Sequence, residues 1–273
     1  LLPASFQKQY TYELPVASAQ VKSSILLAGL AAGIGIEIIE PVQTRDHTER
    51  MLKNFGADLE ITSKGAKKVI QLSYSNYLQA KDYTVVGDIS SAAFLIVGAL
   101  ISNSPGLEIT NVGMNPSRTG VLEVLQKMGA NIEVKNQRLE SGEPCADLEV
   151  KKSILKGVEL SGDIIPNVID EIPILSIAAA FAEGETVIRD AAELRVKESD
   201  RLKAVSDGFK SLGVVHENFE DGMRITGSSD ALIIDHPAHI ESHNDHRIAM
   251  SFLIAGLKCS QPIIVKDCKN IFT

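Results

Sequence analysis

Tryptophan is absent from the 273 residues, and aromatic residues make up only 5% of them. Little is therefore available for stacking the bases of a single-stranded nucleic acid. The net charge is −8 and no basic block occurs, which excludes a general nucleic-acid surface. An anionic ligand would have to be held by a local cluster. The three cysteines, Cys145, Cys259 and Cys268, are scattered and odd in number. With no C-x-x-C pair and no His/Cys ligand spacing, also around His216, His236, His239 and His243, they read as ordinary thiols of a reducing, cytoplasmic compartment and not as a metal site. No run of eighteen apolar residues is present, which argues against a membrane span. The opening Leu1 to Tyr10 lacks the basic start and long apolar core of a signal peptide. Neither a phosphate loop nor a dinucleotide fingerprint occurs.

What is present is a long, degenerate repeat. Each unit opens with a polar cap and an Ala-rich apolar helix: Ser18 to Leu30, Ser90 to Leu100, Asp170 to Ala180 and His246 to Leu257. Strands are expected next, at Ile36 to Ile39, Leu107 to Thr110, Val187 to Arg189 and Ile263 to Val265. Second helices run up to Phe55-Gly56, Met128-Gly129 and Leu212-Gly213, each Gly suited to a left-handed turn. A hairpin is expected at Leu59 to Ile61 and Val69 to Leu72, turning at Lys64-Gly65. The opening helices are apolar nearly all round, which predicts burial on several sides. The fold class is α/β with mixed sheets. No strand is read ahead of the first helix, and the fourth unit stops after its strand at Asn270-Ile271-Phe272-Thr273. The chain is therefore expected to be incomplete at both ends, with a first partial domain over 1–86 and a second over 87–273 that lacks its last helix.

Polar clusters mark the helix starts, where free amides and the helix dipole favour anions. Ser18-Ala19-Gln20 with Lys22 suits a phosphate, or is a simple N-cap. In Thr44 to Glu49, Arg45 could reach an anion, while Asp46 and Glu49 have the spacing of a capping box. Asp170 is either a cap or a general base. Arg247 in Asn244-Asp245-His246-Arg247 is unfavourable for the dipole and hints at a bound anion. Gly87 to Ser91 and Asn115 to Thr119 read as caps and turns. In E-L-R-V-K-E-S-D-R-L, from Glu193 to Leu202, Lys197 and Arg201 would share one helix face. An anion between them would relieve their repulsion, with Glu198 adjacent; the alternative is a solvated helix start with Glu193 pairing to Lys197.

The motifs L-P-V-A-S-A-Q-V-K-S, T-R-D-H-T-E, G-D-I-S-S-A, N-P-S-R-T-G, I-D-E-I-P-I-L, R-V-K-E-S-D-R-L and N-D-H-R-I-A-M stand in this order over essentially the whole chain. Together they resemble the 5-enolpyruvylshikimate-3-phosphate synthase family, and the chain looks like its C-terminal two thirds. The resemblance implies a two-domain enolpyruvyl transferase fold of repeated βαβαββ units around buried helices, an inside-out α/β barrel, closing over a cleft. It implies enolpyruvyl transfer from phosphoenolpyruvate to the 5-hydroxyl of shikimate 3-phosphate with release of phosphate, on the route to chorismate and the aromatic amino acids. By motif, Ser18, Ala19, Gln20 and Arg45 would contact shikimate 3-phosphate. Asp170 and Lys197 would bind its hydroxyls, with Asp170 as base. Glu198 would move the methylene proton. Gln20, Arg201, Arg247 and His246 would hold phosphoenolpyruvate. No cofactor and no metal are implied, and the complete enzyme is expected to be a monomer, with this chain complemented by an N-terminal segment.

Ser18-Ala19-Gln20 departs from the Ser-Ser-Gln of some members, and Glu193 from their Asn, so Glu193 receives no role. The variant pattern resembles a bacterial subgroup often less sensitive to glyphosate. The family's early Lys-Ser-x-x-x-Arg and Asn-x-Gly segments have no counterpart, so the isolated chain is expected to be weakly active or inactive. Competing readings are the related transferase acting on UDP-N-acetylglucosamine, a non-catalytic remnant, and half of a split enzyme.

Overall fold

The computed structural model describes residues 9–65, 67–74 and 77–271. The opening Leu1 to Lys8 and the closing Phe272-Thr273, both read above, lie outside the described residues. The chain divides into two compact units, one of residues 1–86 with 138–144, the other of residues 87–137 with 145–273.

In the first unit, β1 (Gln9–Glu13) leads into α1 (Ala19–Ala32), followed by β2 (Gly35–Glu40), α2 (His47–Asn54), β3 (Leu59–Lys64) and β4 (Lys67–Leu72). The sheet order is β1-β2-β4-β3. β1 runs parallel to β2, and β4 is antiparallel to both its neighbours, so the sheet is mixed and the expected hairpin forms. β1 corrects the expectation that no strand precedes the first helix: its five residues are all exposed, so no alternation marks them in the sequence. The core joins Leu26 of α1 to Ile36, Ile38, Leu52, Ile70 and Leu72.

The chain continues with α3 (Ile89–Ile101), β5 (Leu107–Gly113), α4 (Gly120–Lys127), β6 (Asn131–Glu140), β7 (Glu143–Lys151), β8 (Leu155–Lys156) and β9 (Glu159–Leu160). Next come the single turn α5 (Ile165–Val168), α6 (Ile172–Ala180), β10 (Ala182–Ile188), α7 (Arg201–Leu212), β11 (Val215–Asn218) and β12 (Met223–Gly227). β13 (Ala238–Glu241), α8 (His246–Ala255) and β14 (Ile263–Lys266) follow, and a 3-10 turn over Cys268–Ile271 closes the described chain. The sheets have the orders β5-β7-β6, β11-β12-β10-β8 with β9 on β10, and β13-β14. Each repeat proves to have a short leading element parallel to the strand after its helix: β1 with β2, the Gly87–Val112 bridge, β8 and β9 with β10, and β13 with β14. The glycines after α2, α4 and α7 take positive φ: 88° at Gly56, 91° at Gly129 and 70° at Gly213.

Burial on several sides holds for α3 and α6, of which all nine α6 residues are buried. It fails for α1 and holds in part for α8, in which Leu253 alone is exposed. α1 buries only Lys22, Leu26 and Gly29, and α8 buries the stripe Ile248, Ala249, Ser251, Phe252 and Ala255. For α1 the difference is one of neighbours. α6 packs against α3, α7, α8 and the strands β8, β10 and β12, whereas α1 rests on β2 and β4. α7 lies against α8 where Gly208 faces Phe252; a Cβ on Gly208 would fall 2.0 Å from the Phe252 Cζ. No helix among the described residues is long and apolar enough to cross a membrane.

Candidate active site

In the first unit, Ser18 caps α1, its Oγ accepting from the Val21 amide at 3.3 Å. The amides of Ala19 and Gln20 lie in the first turn, where helix geometry offers no intrahelical acceptor. Gln20 is exposed, Ser18 and Ala19 half-buried. Arg45 is half-buried in the loop before α2. Two expectations fail here. Lys22 is not turned to the helix N-terminus: its side chain is fully buried, with Nζ 2.7 Å from Glu49 and 3.0 Å from Glu40. The capping box does not form, since Asp46 receives Arg50 Nε at 2.9 Å and makes no cap bond, while Glu49 goes to Lys22. Burial raises the Glu49 carboxyl above its ordinary value although Lys22 pulls the other way.

In the second unit, the helix starts converge on one ionic network. Arg201, the first residue of α7, is 1% exposed and its fork is divided among three carboxylates. Nε donates to Asp245 at 2.8 Å, Nη1 to Asp170 at 3.5 Å and Nη2 to Glu198 at 2.5 Å. Lys197 Nζ lies 3.9 Å from the same Asp170 oxygen and also pairs with Glu193. The anion between Lys197 and Arg201 is thus Asp170 of this chain. The two cations do not share a helix face, because Lys197 is extended after a 3-10 turn and Asp200 caps α7 through the Lys203 amide. Glu193 takes Lys197 as in the plainer reading, and Asp170 does not cap α6.

Arg247 Nη1 reaches the Asp170 carbonyl at 3.0 Å and Glu171 Oε1 at 3.3 Å. Its place at a helix start is therefore balanced by a carboxylate. His246, half-buried, opens α8 beside it. The cap of α8 is Asp245, fully buried, which accepts from the Arg247 amide at 2.9 Å, the Ile248 amide at 3.4 Å and Ser199 Oγ at 3.0 Å. Burial works to raise the Asp245 carboxyl, but the hydrogen bond and charge of Arg201, with the Arg247 amide and Ser199, outweigh it and hold it below the ordinary aspartate value.

Sequence reasoning missed the supports. Glu171, buried behind Arg247, accepts from Ser90 Oγ at 2.5 Å, and Arg118 Nη2 donates to the same hydroxyl at 2.5 Å and to Asp88, the cap of α3, at 3.0 Å. The segments 87–91 and 115–119, read as caps and turns, therefore extend the network. Their signal was present: charged residues at two helix starts and one turn, each next to an apolar run. Among the described residues, no group of three or more His, Cys, Asp or Glu is placed to hold a metal ion. The network can hold anions on fixed cations and offers two partly accessible carboxylates, Asp170 and Glu198, for proton transfer.

Residues 4–272 match the family model of EPSP synthase, 3-phosphoshikimate 1-carboxyvinyltransferase. The chain is 52% identical to the 3-phosphoshikimate 1-carboxyvinyltransferase of Petrotoga mobilis, covering 95% of this chain and 59% of the relative. It is 49% identical to that of Magnetococcus marinus, covering 96% and 58%. Among solved structures, EPSP synthase from Acinetobacter baumannii superposes with a TM-score of 0.88 at 47% identity, over 97% of this chain and 59% of that one. The enolpyruvyl transferase NikO from Streptomyces tendae shares the fold, with a TM-score of 0.71 at 18% identity, over 96% and 60%. The chain thus spans about three fifths of the length of the relatives it matches. With the repeat, the helix-start clusters and these matches in agreement, the chain belongs to the EPSP synthase family.

Proposed function

We propose that the chain takes part in enolpyruvyl transfer from phosphoenolpyruvate to the 5-hydroxyl of shikimate 3-phosphate. The observation that carries this reading is Asp170, partly exposed and held by Lys197 and Arg201 at the meeting of three helix starts. In this reading the hydroxyl oxygen adds to C2 of phosphoenolpyruvate, Asp170 takes the hydroxyl proton, and Glu198 delivers a proton to the methylene carbon. The tetrahedral adduct then expels phosphate as Glu198 removes a proton from the new methyl group, restoring the double bond. Lys197 holds a hydroxyl of the acceptor. Arg201 and Arg247, with His246 beside them, hold the anionic groups of phosphoenolpyruvate. Ser18, the Ala19 amide, Gln20 and Arg45 hold shikimate 3-phosphate.

Three of the five Arg201 N–H groups donate to carboxylates, and a substrate oxygen that takes over one of these bonds displaces a carboxylate. Glu198 is the candidate, being 53% exposed, whereas Asp245 is sealed. That exchange would release Glu198 for its proton transfers. Enzymes of this kind place carboxylates for proton transfer and fixed cations for charge. The test is calorimetric binding of shikimate 3-phosphate, together with phosphate release from phosphoenolpyruvate. Binding by the chain that Asp170→Ala weakens at least tenfold is expected. Absence of binding to both reactants would sink the reading, and turnover with UDP-N-acetylglucosamine in place of shikimate 3-phosphate would redirect it.

A further inference from the structure

Lys22 has three ammonium donors and all three end on carboxylate oxygens: Glu40 Oε1 at 3.2 Å, Glu40 Oε2 at 3.0 Å and Glu49 Oε1 at 2.7 Å. It is therefore spent inside the protein and cannot reach a ligand. Glu40, the last residue of β2, has a second task. Its Oε1 accepts from the Thr44 amide at 3.0 Å and the Thr44 hydroxyl at 2.7 Å. Thr44 is the residue before Arg45. Lys22 lies one turn into α1, its own amide bonded to the Ser18 carbonyl at 3.1 Å. One buried ion pair thus joins the helix start carrying Ser18, Ala19 and Gln20 to the loop carrying Arg45. A second link runs alongside, from Ser23 Oγ to Thr48 Oγ1 at 2.7 Å.

We infer that Lys22 and Glu40 are positioning residues, which tie the loop carrying Arg45 to the first turn of α1. The inference rests on the reading above of those groups as the shikimate 3-phosphate contacts. Stability does not account for the pair, because well-packed apolar residues replace buried ion pairs at little or no cost. A dry, fully bonded network instead fixes distance and direction, and an anion site needs its donors held to within a fraction of an ångström.

Two variants separate this role from folding. Lys22→Met/Glu40→Leu removes both charges and the acceptor for Thr44. Lys22→Gln/Glu40→Gln removes both charges but keeps a hydrogen-bonding pair between α1 and β2 and that acceptor. At matched melting temperatures, the first is expected to bind shikimate 3-phosphate and inorganic phosphate at least tenfold more weakly than the parent, and the second within threefold. Equal affinity in parent and both variants overturns the inference, and so does an equal loss in both. Should the Leu variant not fold, Thr44→Val decides: an approximately threefold loss of phosphate affinity supports the inference and an unchanged affinity overturns it. If the parent chain binds neither probe, the underlying reading has failed, which is visible before any variant is made, and this inference falls with it.

Discussion

Lys22 in the first unit and Arg201 in the second are equally sealed, with side-chain exposures of 0% and 1%, yet they are partnered differently. Every partner of Lys22 is buried. Arg201 has one buried partner, Asp245, and two that reach solvent, Asp170 and Glu198. The geometry of the two head groups explains the difference. A lysine ammonium is a point charge that a closed carboxylate cage can satisfy, whereas the arginine fork spreads five donors over a plane and can face two environments at once. A buried lysine is therefore good material for a strut, and a buried arginine for the wall of a cleft.

The largest effect expected from breaking this comparison is at Lys22. Lys22→Met strands Glu40 and Glu49 without their cation and should cost about 3–5 kcal/mol of stability, read from the urea midpoint. The Lys22→Met/Glu40→Leu pair should recover much of that loss. Asp245→Asn is next. It leaves the Arg201 fork short of its sealed partner and should cost about 1.5–3 kcal/mol, the range for hydrogen bonds to charged groups. The same carboxylate sets an acid limb. Its folded pKa lies below its unfolded value, so its contribution is present above the unfolded value and disappears as the pH falls through the folded one. Melting temperatures taken below about pH 4 should fall more steeply in the parent than in Asp245→Asn.

The smallest effect should have the opposite sign. The Glu49 carboxyl is raised in the folded state, so its contribution is greatest below its unfolded value and is lost as the pH rises through the folded one. Its Oε2 is buried with no hydrogen-bond partner. Glu49→Gln keeps an acceptor for Lys22 and should raise stability by up to about 1 kcal/mol at pH 7, a gain that fades toward pH 4. A loss of stability at pH 7 would show that Lys22 needs both charges and is less like a strut than its geometry suggests.

The repeat was legible because its long helices bury apolar residues and its second helices end at glycines with positive φ. The leading strands were not. β8 and β9 are two residues each and β1 is exposed throughout, so neither length nor alternation distinguishes them from loop. Charged residues at helix starts were legible as a class, including Asp170, Lys197, Glu198, Arg201, His246 and Arg247. Their partners were not, because pairings such as Arg201 with Asp245 or Ser90 with Glu171 join residues 44 and 81 positions apart. Lys22 shows the same limit. A lysine beside Ser18-Ala19-Gln20 reads as part of a phosphate cluster until Glu40 and Glu49 are brought to it by the fold.

The contact of Gly208 with Phe252 has a consequence for how this sequence can change. α7 begins at Arg201 and α8 carries Arg247 in its first turn, so the ring seated on the bare backbone of Gly208 sets how near the two arginine-bearing helices lie. A methyl at 208 would have to push them apart, and a smaller side chain at 252 would let them collapse. Neither position is free to vary alone. Substitutions there should be tolerated as a matched pair of compensating volumes, and descendants of this chain should exchange them together or not at all.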